Sequence, residues 1–151
     1  MAKNHIILCG GKSKYMLKKI ILYIWQLPQN LASLILLAYN HKSIEKCYFE
    51  NIAYWKAKHI NDCGLSLGNY IFLDSDAKIT ETRIKHEHGH QIQSKYLGPL
   101  YLIIIGLPSA IGNIIDRKFH KNWDKKTKSL WYYSQKWEAS ADKLGKVERY
   151  Y

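Results

Sequence analysis

His86 and His90 are four residues apart, with Glu87 directly after the first of them. On a helix, residues i and i+4 lie one above the other, so the two imidazoles face one point and can offer two nitrogens to a tetrahedral zinc ion. Glu87 beside them is placed to act as a base, which makes His86-Glu87-His88-Gly89-His90 an HExxH half-site of metallopeptidase type. A chain with this content of His and Glu produces an HExxH by chance about once in 80. Two ligands hold zinc weakly, and catalysis needs a third ligand with one position left open for water. Glu138-Ala139-Ser140-Ala141-Asp142 lies 48 residues after His90. Glu138 is the expected third ligand, and Asp142, one helical turn later, is placed to hydrogen-bond the second ring nitrogen of a ligand histidine and fix its tautomer. His88 projects away from its two neighbours on a 3.6-residue period and is expected to pack or face solvent.

A peptidase also needs a donor for the oxyanion that develops at the scissile carbonyl. Arg149 is the preferred candidate, because it follows the Glu138/Asp142 segment closely, with Tyr132, Tyr133 and His120 as alternatives.

The elements that must carry these groups follow from pattern. Thr80 to Tyr96 is expected to form the HExxH helix, begun by acidic character and stopped or bent at Gly98-Pro99. Ser129 to Leu144 is expected as one final helix carrying Glu138 and Asp142, with Gly145 as its cap. Gly68 to Asp74 has strand composition, and such a strand ahead of a metal helix can pair with an extended substrate. Ser43 to Lys58, with Ile44, Cys47, Tyr48, Ile52 and Trp55 at helical spacing, is expected as an aromatic-rich amphipathic helix. The basic stretch Asp116 to Lys128, interleaved with aromatics, is expected as a loop near membrane headgroups or solvent.

Two apolar segments frame the rest, residues 20–39 and 97–115. The first, at 20 residues, is long enough to cross a hydrocarbon core of about 30 Å, and the second has 19 residues and no charge. The first is interrupted by Pro28-Gln29-Asn30, which points to a broken or re-entrant helix. The second carries Gly98, Pro99, Gly106, Pro108 and Gly112. A straight single span there would leave His90 and Glu138 on opposite sides of a bilayer, so a bent hairpin or re-entrant element with both arms returning to one side is expected, with a buried core helix pair in a soluble fold as the alternative.

The chain is 151 residues long, which suits one domain with one core. Its net charge of +11 calls for an anionic neighbour. The charge comes from 20 Lys and 3 Arg scattered along the chain, which favours a membrane surface over nucleic acid. Lys12, Lys14, Lys18 and Lys19 favour a cytoplasmic N-terminal side, and the basic, apolar start is expected to be retained rather than cleaved. Cys9, Cys47 and Cys63 have no zinc-finger spacing and imply no closed disulfide framework.

The HEHGH and WEASADKLG motifs resemble those of the gluzincin clan of zinc metallopeptidases. They are most similar to its membrane-associated branch, which includes the prenyl-protein (CAAX) and HtpX-type proteases and small bacterial relatives. The resemblance covers motifs in about the last half of the chain. It implies a zincin-like helical core with a small sheet, Zn2+ as cofactor, a peptide or protein substrate, and a bacterial inner membrane location with a cytoplasmic-facing site. It also implies ligand roles for His86, His90 and Glu138, a base role for Glu87 and a supporting role for Asp142. That branch carries a pair of membrane spans between its motifs, whereas this chain has one interrupted apolar segment. Two other readings stand beside the peptidase. One is a non-proteolytic zinc-binding membrane protein with a regulatory or immunity role, although Glu87 has no task there. The other is a basic nucleic-acid-binding domain, in which the HExxH pair has no role.

Overall fold

A computed structural model describes residues 10–58, 60 and 64–149. Cys9, Cys63 and the side chain of Lys12 lie outside the described residues. The described chain is mainly helical with a four-stranded sheet. Two helices, α1 (Gly10–Trp25) and α2 (Leu27–Tyr39), precede strands β1 (Glu45–Phe49), β2 (Ile52–Ala57), β3 (Gly64–Leu67) and β4 (Tyr70–Asp74). Helix α3 (Glu81–Leu97) follows, then a 3-10 turn at Gly98–Leu100 and a π-helical turn at Leu102–Gly106 that runs into α4 (Leu107–Phe119). Helices α5 (Lys125–Tyr133) and α6 (Lys136–Gly145) complete the fold.

Residues 43–58 are not a helix. Glu45–Phe49 and Ile52–Ala57 pair antiparallel from Phe49↔Ile52 to Glu45↔Lys56, across a tight turn in which Glu50 takes a φ of 51°. Aromatic and β-branched residues in this stretch fit period 2 as well as period 3.6, and the sheet wins because Tyr54 then joins the core of Ile71, Leu73 and Ile84. The sheet order is β1-β2-β4-β3, with β2 and β4 parallel. Strand β4 is therefore interior, and β3 forms the edge beside α3.

Helix α3 begins where expected. Thr80 caps it, its hydroxyl accepting from the Arg83 amide, and Ile84 seats it on the sheet. Past its end, Gly98 takes a φ of 54° and the chain turns by 119° into Leu102–Phe119. The reversal sits at Gly98–Tyr101. Pro108 falls in the first turn of α4, just after the π turn, where a missing N–H is tolerated. No single helix among the described residues is long and apolar enough to cross a membrane, and the segment 20–39 is broken by 85° between α1 and α2. Residues 116–128 are partly helical, closing α4 and opening α5 at the Asp124 cap.

Residues 129–144 form two helices rather than one. Trp131 O accepts from both Ser134 Oγ and Gln135 Nε2, and Gln135 is extended (ψ 138°), so the chain restarts at Lys136. The break places Glu138 in the first turn of α6, near the positive end of the helix. Gly145 is the last helical residue and Lys146 takes the left-handed position (φ 56°). Gly145 serves packing instead: a Cβ there would collide with Lys85 O, just as a Cβ on Gly89 would collide with Ala141 O. These two glycines let α3 and α6 cross backbone to backbone.

Candidate metal centre

The close α3–α6 crossing brings the two halves of the site together. Glu138 Oε2 lies 3.0 Å from His86 Nε2 and 3.2 Å from His90 Nε2. One donor atom from each of the three residues falls within 4.8 Å of the others, and all three side chains are buried. His86, His90 and Glu138 are thus brought together as the spacing predicted.

The other ring nitrogen of each histidine is taken. His86 Nδ1 donates to Asp142 Oδ1 at 2.7 Å, the contact expected of Asp142. His90 Nδ1 donates to Gln93 Oε1 at 2.8 Å, and Gln93 Nε2 donates to Trp137 O at 2.8 Å. Both rings are therefore held with Nε2 towards Glu138. Gln93 was missed in the sequence, although its position three residues after His90 on the same helix is a legible signal. His88 projects elsewhere, bonding Gln91 at 3.2 Å.

Arg149 does not occupy the place expected of an oxyanion donor. Its guanidinium binds Asp142 with two nitrogens, at 2.6 and 2.8 Å, and lies 3.2 Å over the Tyr133 ring. Tyr133 in turn meets the His86 ring edge-on, centroids 5.2 Å apart. The proximity in sequence was real, but Asp142 is the nearest anion and captures the planar fork. Arg149 positions His86 through Asp142 and Tyr133. His120 packs between Trp123 and Trp131 and bonds Asp116 at 3.3 Å.

The electrostatics suit a cation. Burial opposes charge on His86, but hydrogen bonds to Asp142 and Glu138 outweigh it and push its pKa up to about 9. Burial likewise works against the Glu138 carboxylate, and the two histidines hold its pKa well below the usual range. Burial raises Glu87 above an ordinary carboxylate, with His90 and His86 opposing. Glu138 Oε1 is buried without a hydrogen-bond partner. An orphaned carboxylate oxygen beside two aligned imidazole nitrogens is a donor set that could hold a metal ion.

The centre opens onto a cleft of about 770 Å³. Strand β3 walls one side, α4 the other, and His86, Glu87 and His90 form the floor with Tyr132 and Tyr133 nearby. Tyr132 OH lies 3.1 Å from Ser109 Oγ and accepts from Asn113 Nδ2 at 3.4 Å. Gly64 of β3 faces Glu87 so closely that a Cβ there would collide with the carboxylate. No protein-family model, curated protein or solved structure matches the chain.

Proposed function

We propose that the protein is a membrane-associated, zinc-dependent endopeptidase. The observation that carries this reading is the convergence of His86, His90 and Glu138 on one buried point, with Glu87 beside it and a cleft above. Zinc held by these three residues supplies Lewis-acid activation of a water molecule and of a peptide carbonyl. Glu87, on the cleft floor, accepts the proton of the attacking water and returns it to the leaving nitrogen. Asp142 and Gln93 keep the two imidazoles in the ligating tautomer. An extended peptide lies along the β3 edge, at Gly64 and Leu65, because Tyr101 OH already donates to Ser66 O. The oxyanion is stabilised from Tyr132 or Tyr133, the hydroxyl-bearing side chains of the cleft closest in sequence to α6.

The test pairs metal analysis with peptide hydrolysis. Glu138→Ala loses zinc. Glu87→Gln keeps zinc and lowers kcat by about 10²- to 10⁴-fold. Full metal content in Glu138→Ala removes the third-ligand assignment, full turnover in Glu87→Gln removes Glu87 as the base, and a zinc-loaded wild type without turnover favours a zinc-binding protein without this chemistry.

A further inference from the structure

Helix α2 and the π turn with α4 are reversed in polarity. On α2, Gln29, Asn30 and Ser33 are fully buried, as is Gln26 just before it, while Leu31, Leu34, Ile35 (71% exposed) and Tyr39 face out. Most of the buried groups serve backbone, while the Gln26 and Gln29 amide oxygens are buried without a hydrogen-bond partner. Gln29 Nε2 donates to Gly98 O, Asn30 Oδ1 accepts from the Asn69 amide at 2.9 Å, and Ser33 Oγ donates to Leu67 O at 2.7 Å. The π turn and α4 repeat the pattern: Ser109 and Asn113 face Tyr132, while Ile103 (67% exposed), Ile104, Leu107, Ile111 and Ile114 face out at helical spacing. In water this arrangement is backwards. In hydrocarbon it is the stable one, since polar groups must be satisfied internally and apolar faces meet lipid.

The two bent pairs meet at their bends. Trp25 Nε1 donates to Lys95 O at 3.2 Å, and the Trp25 ring lies against Gly98, where a Cβ would strike it. Exposed Trp25, Leu27, Tyr96, Leu100 and Ile103 therefore belong to one apex. Neither arm reaches across a bilayer. The 13 residues of α2 extend about 20 Å, and the uncharged run Leu102–Ile115 about 21 Å, against a core of about 30 Å. Beyond the apolar faces stand exposed Lys14, Lys18 and Lys19 on one arm, and exposed Lys118, Lys121 and Phe119 with Trp123 at the end of the other. Basic and aromatic side chains at that boundary match an anionic headgroup layer.

We infer that the joined bends of α1/α2 and α3/α4 dip into a single leaflet of an anionic phospholipid bilayer, so that the chain docks from one side without spanning. This names the membrane contact in the proposed function and rests on that part of it. The cleft of the metal centre is lined at one end by Tyr101 and Gly106, which adjoin the bend.

The experiment uses the full chain with sealed vesicles of phosphatidylcholine, with or without phosphatidylglycerol. The protein floats with the anionic vesicles, and Ile35→Glu and Ile103→Glu each weaken partition at least about tenfold. Tyr48→Glu, equally exposed on β1 but away from the apex, leaves it unchanged. Zinc content stays constant across all three variants, which separates loss of docking from loss of the metal site. A membrane-impermeant amine reagent modifies Lys14 and Lys42, and Lys78 and Lys121, from outside. Failure to float, or equal partition of the Glu variants, overturns the docking surface. Protection of one lysine of either pair means a span and overturns one-leaflet docking. A lipid-free dimer that Ile35→Glu dissolves assigns the face to a second copy instead. Peptide hydrolysis is not a readout here, so an inactive protein that docks as described leaves this inference standing and removes only the peptidase reading.

Discussion

His86 and Asp142, 56 residues apart, meet at 2.7 Å, and the same carboxylate is clasped by Arg149. One metal-ligand candidate is thereby oriented by a relay from the end of the described chain. Asp142→Asn replaces the charged acceptor that orients the His86 ring by a weaker neutral one, and Gln93→Ala removes the acceptor that orients the His90 ring. Zinc affinity falls about 10- to 100-fold in each, measured by chelator competition. Arg149→Ala gives a smaller loss than Asp142→Asn, because Asp142 remains to hold His86. A larger loss in Arg149→Ala than in Asp142→Asn would show that Arg149 acts on the site directly.

Gly64 keeps the space that the Glu87 carboxylate occupies. Gly64→Ala displaces the base by about an ångström without touching a ligand, so kcat drops on the order of 100-fold while zinc content is retained. Loss of metal in this variant would mean that the strand supports the ligands rather than the base.

Gly89 is the point where α3 and α6 touch. Gly89→Ala forces Ala141 away and destabilises the fold by about 1–3 kcal/mol, read as a lower denaturant midpoint. Gly106→Ala is the control, since its Cβ would sit 3.6 Å from the nearest side chain, an ordinary contact.

A metal ion bound as proposed competes with a proton for His86. In the metal-free protein its pKa stands near 9, so at neutral pH the metal displaces a proton on binding. Conditional zinc affinity rises from pH 7 to 9 by about tenfold per unit and flattens above, and proton release on adding zinc in weak buffer is the direct measurement. Stability of the metal-free protein runs the other way. A raised folded-state pKa contributes stability that is complete below the ordinary histidine value of 6.5 and is lost as pH rises through about 9. The denaturant midpoint of the metal-free protein is therefore higher at pH 6 than at pH 9.5, and a midpoint that climbs with pH would contradict the Asp142–His86–Glu138 geometry.

Several features were legible in the residues themselves. The start of α3 near Thr80, the shared face of His86 and His90, the outward turn of His88 and a break within 20–39 all depend on spacing within one helix or turn, which local geometry dictates; the break itself sits at Gln26, with Pro28 in the first turn of α2. The β1/β2 hairpin was not legible, because its aromatics satisfy two periods and only burial of Tyr54 against Ile71 and Leu73 decides between them. Arg149 was near enough in sequence to reach the site, but its partner depended on where the chain after α6 turned.

By itself, the amino-acid order determined which groups have the chemistry to hold a metal and which sit together within a single helical turn. Only the tertiary structure decided that α6 crosses α3 at Gly89 and Gly145, and so that Glu138 stands 3.0 Å from His86. The same holds for the polar face of α2, which turns inward to the β3–β4 turn and to Gly98. The physical reason is range. Helix periodicity is enforced by hydrogen bonds four residues long, whereas contacts between residues 30 to 60 apart depend on which surfaces can approach, and that is settled by the whole chain at once.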